Sequence, residues 1–236
     1  MRFAVFFGAL AAVFVWLAVQ LGLPSFGGVA GLLTAMGLMG PTVAYGLGKP
    51  GVIGKQPDGT HPGWAQFAHG SYLGLCRFSA AMARLRGLKP WNDVGDGIVL
   101  GARPMPREVG TLLDDHGVGA VVDLTCELVD PARLRKNTVF LCLPTLDGTP
   151  LTAEQLSRGV DFIDAQRGQH AVYVHCAVGR GRSATLVVAW ALAAGKADSV
   201  EAAEAWLKER RPAVRLGASQ KASVAAWWVG RGVADS

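Results

Sequence analysis

The chain has 236 residues, 50% of them hydrophobic and 17% charged, with 31 Gly, 4 Cys and a formal net charge of +5. This composition excludes an intrinsically disordered chain, which needs low hydrophobicity and high net charge, and a disulfide-stapled mini-domain, which needs dense cysteine. The charge is unevenly spread, because Arg2 is the sole Asp, Glu, Lys or Arg among the first 48 residues.

Residues 1–48 hold two apolar runs, Phe3 to Leu23 and Gly28 to Gly48, joined by Pro24-Ser25-Phe26-Gly27. Each run has about the 20 residues that carry a helix across a hydrocarbon core of roughly 30 Å. A transmembrane hairpin is predicted. A secretory signal peptide is the competing reading, but the first run exceeds the roughly 7–15 residues of a signal core, no A-x-A site follows it, and a second apolar run comes directly after. Pro41 is tolerable within a bilayer, and Gly27, Gly28, Gly31, Ala35 and Gly37 allow two helices to approach closely. Cations precede the hairpin at Arg2 and follow it at Lys49, Lys55 and Arg77, while the turn has none. That bias predicts a multi-pass protein with both ends, and the domain that follows, in the cytoplasm.

Residues 49–90 are expected to be a linker and a juxtamembrane amphipathic helix. The stretch 50–63 is rich in Gly and Pro. From Trp64, apolar residues recur at Phe67, Tyr72, Leu75, Phe78, Met82 and Leu85, among Arg77, Arg84 and Arg86. Such a helix can lie in the headgroup layer or pack on the next domain, and both readings stand. His61 and His69 lack metal-ligand spacing and are expected at the surface.

From about residue 95, strands are predicted at 97–102, 119–125, 138–144 and 171–175. Helices are predicted at 108–117, 152–167, 183–195, 198–211 and 218–229. Alternating strands and helices of this kind predict an α/β domain with a mainly parallel sheet.

The chemistry lies at the end of the last strand, in His175-Cys176-Ala177-Val178-Gly179-Arg180-Gly181-Arg182-Ser183. A Gly-rich loop between a strand and a helix can turn successive N–H groups toward one point, which makes an anion site. Residues 177–182 are therefore expected to bind a phosphate, with the planar fork of Arg182 closing the ring. Cys176 is expected to be a thiolate there and to attack phosphorus, forming a phosphocysteine. Ser183 is expected to hydrogen-bond the sulfur, and His175 to orient the loop through a backbone hydrogen bond. Asp147, on the turn-rich loop after a predicted strand, is the candidate general acid. Asp123, Asp114 and Asp115 are expected to be structural, and Cys76, Cys126 and Cys142 to be packing residues. No metal constellation or cofactor motif is read, and no basic stripe suggests nucleic acid.

The signature from His175 to Ser183, with Asp147 at the position of a general-acid loop, resembles the cysteine-dependent dual-specificity phosphatases of the protein tyrosine phosphatase superfamily. The likeness covers about residues 91–230, so 91–236 is expected to be the catalytic domain. Within that family it is nearest the phosphatidylglycerophosphate and inositol-lipid phosphatases, whose loop is similar to Cys-Lys-Ala-Gly-Arg-Gly-Arg-Ser. Here Ala177 replaces the Lys and Val178 the Ala, which removes a cation suited to a highly phosphorylated headgroup. The resemblance implies a phosphoric monoester hydrolase without a cofactor. A membrane-anchored enzyme acting on a phospholipid such as phosphatidylglycerophosphate or a phosphoinositide is the preferred reading, because anchoring concentrates such a substrate. A phosphatase of phosphotyrosine and other phosphorylated residues in proteins is the alternative. A binding-only module is disfavoured, because nucleophile, arginine and acid are all present.

Overall fold

The structure is a computed structural model that describes residues 2–234, with side chains of residues 2–231. Helices α1 (Arg2–Leu21) and α2 (Phe26–Leu47) form an antiparallel pair, both long and apolar enough to cross a membrane. Pro41 lies inside α2 without ending it, and Ser25 caps α2 by accepting from the Gly28 N–H at 3.1 Å. At Gly31 an added Cβ would stand 3.1 Å from both the Ala18 side chain and the Phe14 carbonyl, so the small residue sets the helix separation.

The predicted helix from Trp64 is two helices, α3 (Gly63–Ala68) and α4 (Gly70–Leu85). The break falls at His69, whose φ of −116° leaves the helical range and whose ring bonds to the Val52 carbonyl at 3.0 Å. Tyr72 and Leu73 of α4 are buried, while Phe78 and Leu85 stay exposed. The helix thus packs inward with one face and offers apolar side chains on the other.

Five strands follow: β1 (Trp91–Gly95), β2 (Ile98–Ala102), β3 (Val118–Thr125), β4 (Val139–Thr145) and β5 (Ala171–Cys176). They form one sheet in the order β1-β2-β5-β3-β4, antiparallel between β1 and β2 and parallel elsewhere. β1 was not predicted, because its residues are polar, yet the Asp96-Gly97 pair between it and β2 is a hairpin turn signal. The region predicted as a helix at 108–117 is a 3-10 turn (Pro106–Glu108) and a wide helical turn (Thr111–Asp115). The helices α5 (Ala132–Lys136), α6 (Ala153–Gln166), α7 (Arg182–Ala193), α8 (Val200–Arg210) and α9 (Ala218–Ala234) complete the chain.

Side chains alternate across the sheet. Ile98, Leu100, Val172 and Val174 enter a core with α6 to α9, and Val99 and Tyr173 enter a smaller one with Leu112 and Leu134. A third core joins Phe7, Leu38 and Tyr45 of the hairpin to Tyr72, Cys126 and Leu146. The hairpin is therefore packed onto the α/β domain.

Residues 50–63 correct the expectation of a plain linker. Ile53 is fully buried, and Lys55 sends its ammonium to Asp123 Oδ2 at 2.5 Å and to Thr125 Oγ1 and the Thr125 carbonyl at 2.8 Å. His61 and His69 are buried rather than at the surface: His61 Nε2 meets the Cys126 carbonyl at 2.9 Å. Burial lowers the pKa of both imidazoles, which a charged surface histidine would not show.

Candidate active site

β5 lies between β2 and β3, and its last residue is Cys176; α7 begins six positions later at Arg182. The turn between them is held by its carbonyls from outside. The Cys176 carbonyl accepts from the Arg103 N–H at 2.7 Å and the Arg180 carbonyl from the Arg215 N–H at 2.9 Å. Arg211, buried, donates to the carbonyls of Gly179 at 2.8 Å and Val178 at 3.3 Å. In a trans peptide the C=O and the next N–H point opposite ways. The N–H groups of Ala177, Gly179, Arg180 and Gly181 therefore face the inside of the loop. Gly179 donates to Cys176 Sγ at 3.3 Å, and Ser183 Oγ lies 3.3 Å from the same sulfur.

The turn requires glycine at 179. Its φ is +68°, and an added Cβ would overlap the Gly101 carbonyl and stand 2.8 Å from Arg211 Nη2. Inward N–H groups at a helix N-terminus, with no side chain in the way, make a cradle for a tetrahedral anion.

Arg182 is fully buried beside the sulfur's turn. Glu127 accepts its two terminal nitrogens at 2.7 and 2.9 Å, and the Thr145 carbonyl accepts from Nη1 at 2.8 Å. Its Nε has no hydrogen bond, although Asp147 Oδ1 stands 3.2 Å away. The two facts agree if the carboxylate attracts the guanidinium without lying along the N–H. The fork is thus fixed from behind by Glu127, with a donor left for an oxyanion. Asp147, on the loop after β4, keeps its side chain 60% exposed at the mouth.

Burial alone would push the Cys176 thiol up. The Arg182 guanidinium and the hydrogen bonds from Ser183 outweigh it and hold the thiol below the ordinary cysteine value. Cys142, buried near Asp123, is pushed up to about 12, and burial raises Cys76 and Cys126 as well. One thiol of the four is tuned to ionise.

His175 does not orient the loop through a backbone hydrogen bond. Its Nε2 meets Asp130 Oδ2 at 2.8 Å, and its ring stacks on Tyr173 with centroids 5.3 Å apart. Burial opposes charging of this imidazole, but Asp130, with Asp123 behind it, raises its pKa on balance. Asp123, Asp130 and His175 bring three possible ligand atoms within 4.8 Å of one another. The chain supplies its own cation there, since the Lys55 ammonium bonds to Asp123. Asp114 is exposed and lies 3.6 Å from Arg133.

Glu127, Arg211, Asp130 and Lys55 escaped sequence reasoning. None sits in a spaced motif, and each acts by filling one partner of a group brought near only by folding.

The loop opens into a cleft of about 680 Å³ whose walls include Asp147, Ala177, Val178 and Arg180, together with Phe3, Phe7 and Tyr45 of the helical hairpin and Phe78 of α4.

Residues 104–228 match the family described as "Dual specificity phosphatase, catalytic domain". The Arabidopsis thaliana phosphatidylglycerophosphate phosphatase PTPMT1 is 34% identical over 145 residues, which cover 58% of this chain and 42% of that protein. The Homo sapiens phosphatidylglycerophosphatase and protein-tyrosine phosphatase 1 is 32% identical over 143 residues, 53% of this chain and 67% of its own length. The chain thus spans less than half of the plant relative and about two thirds of the human one. The crystal structure of PTPMT1 in complex with PI(5)P superimposes with a TM-score of 0.57 at 25% identity, covering 63% of this chain and all of that one.

Proposed function

Since this chain belongs to the family of dual specificity phosphatase catalytic domains, a class of phosphoric monoester hydrolases, we propose that it hydrolyses a phosphate monoester of a phospholipid through a phosphocysteine. The observation that carries this reading is Cys176, lowered in pKa and hydrogen-bonded at 3.3 Å by both Gly179 and Ser183, next to an arginine whose fork Glu127 fixes.

The inward N–H groups and Arg182 bind the phosphate oxygens and place phosphorus over the sulfur. The thiolate attacks, a P–S bond forms, and the bond to the leaving oxygen breaks. Asp147 gives that oxygen its proton. Water then attacks phosphorus, its proton passes to the Asp147 carboxylate, and the P–S bond breaks to release phosphate. Ser183 stabilises the departing thiolate by its hydrogen bond.

The lipid assignment is supported by the names of the Arabidopsis and human relatives and by the PI(5)P complex. The loss of a loop cation at Ala177 favours a headgroup with few phosphates. Helices α1 and α2 are proposed to span a membrane with the catalytic domain on the cytoplasmic side, a placement supported by their length and by the cations at both ends. The exposed Phe67 of α3 and Leu85 of α4 suit a domain resting on that membrane. A second reading, hydrolysis of phosphotyrosine in proteins, is favoured by the human relative's name, which includes a protein-tyrosine phosphatase.

The test is phosphate release by the full chain in detergent micelles, from a panel of phospholipid monoesters and of phosphotyrosine peptides. The proposal expects the lipids to be preferred and Cys176→Ser to release nothing. Preference for the peptides transfers the assignment to the second reading, and turnover by Cys176→Ser removes the covalent mechanism.

A further inference from the structure

The cleft over the phosphate cradle has two kinds of wall. One is the cradle itself, with Asp147 and Arg180. The other comes from outside the family domain, since Phe3, Phe7 and Tyr45 belong to the hairpin and Phe78 to α4. The Phe3 ring lies so close to Gly148, next to Asp147, that a Cβ there would stand 3.0 Å from it. The hairpin therefore touches the acid loop itself. Phe3 is 43% and Phe78 63% exposed, two aromatic surfaces left open beside a catalytic site.

Depth matters as much as polarity. Phe7 lies five residues into α1 and Tyr45 four residues before Lys49, so at 1.5 Å per residue both stand within roughly 8 Å of the charged ends of the helices. That is the level of lipid headgroups when the hairpin spans a bilayer, and aromatic rings are favoured there. The cationic side is placed to match. Arg86 and Arg180 line this cleft and also line the adjoining cavity of about 330 Å³, which Lys89 shares.

We infer that this cleft is a glycerolipid-binding site, in which Phe3 and Phe78 hold the upper acyl chains and Arg86 holds a phosphodiester while the terminal phosphate lies on Cys176. The inference rests on the phospholipid reading above and assigns the recognition to residues outside the shared catalytic domain. The occupant is argued from continuity with the phosphate cradle, from an apolar wall at headgroup depth and from the cations Arg86 and Arg180 in the same lining. A volume of about 680 Å³ falls within the roughly 300–1,000 Å³ of ligand pockets. A phosphopeptide would meet apolar rings on the side where a peptide backbone needs hydrogen-bond partners.

The experiment uses the full chain in mixed micelles with three substrates: a long-chain phosphatidylglycerophosphate, water-soluble glycerol phosphate and p-nitrophenyl phosphate. Phe78→Ser and Phe3→Ser each raise KM for the long-chain lipid roughly tenfold, a loss of partial apolar burial, and Phe78→Ser, away from the acid loop, leaves the two soluble substrates unchanged. Arg86→Gln lowers kcat/KM for the lipid with its diester and not for glycerol phosphate. Phe78→Leu, which keeps an apolar surface, restores most of the lipid activity. If the wild type cleaves the lipid and the serine variants match it, or lose all three substrates alike, the binding wall is wrong while the phosphatase reading stands. If the wild type cleaves p-nitrophenyl phosphate and no lipid, the binding wall and the phospholipid reading are both wrong.

Discussion

Lys55 and Asp123, 68 positions apart in the chain, form a fully buried ion pair at 2.5 Å at the end of β3. The ammonium is completed by Thr125 and by the Leu128 carbonyl at 2.5 Å. The segment between the hairpin and the α/β domain is thereby part of the domain, because a buried ammonium with four acceptors cannot leave without stranding a carboxylate. Burial alone would lower the pKa of Lys55, yet Asp123 raises it on balance.

Replacement of Lys55 by Met should destabilise the protein by about 3–5 kcal/mol, the cost of leaving one member of a buried pair unmatched. The double variant Lys55→Met with Asp123→Leu should recover much of that loss. Denaturant unfolding in detergent measures both, and a single variant as stable as the wild type would show that water reaches Asp123.

The Cys176 thiolate should form below the ordinary cysteine value of about 8.5. The fraction of thiolate rises with pH, so alkylation by iodoacetate should reach half its maximal rate at a pH below that value. Ser183→Ala removes one of the groups that favour the anion and should move the midpoint upward. A midpoint unmoved in that variant contradicts the hydrogen bond.

Asp147→Asn should slow hydrolysis of an alkyl phosphate by on the order of 10²–10⁴. An aryl phosphate with a good leaving group needs little protonation and should lose much less. Equal losses on the two substrates would mean that Asp147 serves binding instead.

Arg211 holds two loop carbonyls outward without touching the phosphate site itself. Arg211→Met should relax those peptides, and displacement of the cradle by about 1 Å costs on the order of 10²-fold in rate. Arg211→Lys, with one donor point in place of a fork, should restore little. Unchanged phosphate release in Arg211→Met would show that the carbonyls hold their places unaided.

The pH dependence of stability should separate the buried carboxyls from the buried imidazoles. Burial raises and Arg182 lowers the Glu127 pKa; burial raises and His175 lowers that of Asp130; both carboxyls end below their ordinary values. Their contribution is present above the unfolded values near 4 and is lost as pH falls through the folded ones. His175, raised, contributes below its unfolded value of about 6.5 and loses that contribution as pH rises through its folded value. His61 and His69, lowered by burial, act the other way and gain stability as pH rises toward about 6.5. The His175 contribution is therefore read by comparing thermal midpoints of the wild type and His175→Gln in detergent: the wild-type advantage should shrink as pH rises from 6 to 8, and an advantage that grows over that range would contradict the His175 assignment.

Much of the molecule was legible before folding. Periodicity placed β2 to β5 and the helices from α6 onward, since an apolar face must recur at 2 or 3.6 residues to be buried. The Cys176 to Ser183 spacing pointed to the turn that the structure builds between β5 and α7, because its N–H groups, sulfur and arginine are neighbours in the chain. The two long apolar runs were equally plain, being a matter of length and composition.

Contacts across long separations were not legible. Glu127 lies 55 residues from Arg182, Lys55 lies 68 from Asp123, and Arg211 reaches the loop from 32 residues beyond Gly179. Each depends on a single polar group meeting one partner, which leaves no period and no composition to read. His61 and His69 were misplaced for the same reason, since an isolated imidazole shows its carbonyl partner only after the chain has closed on it. By itself the amino-acid order determined the chemistry of the loop and the presence of the apolar hairpin, because both are local. Tertiary structure alone decided that the hairpin's aromatic base becomes a wall of the cleft beside Asp147 and Ala177, because that wall exists only where two segments distant in the chain pack together.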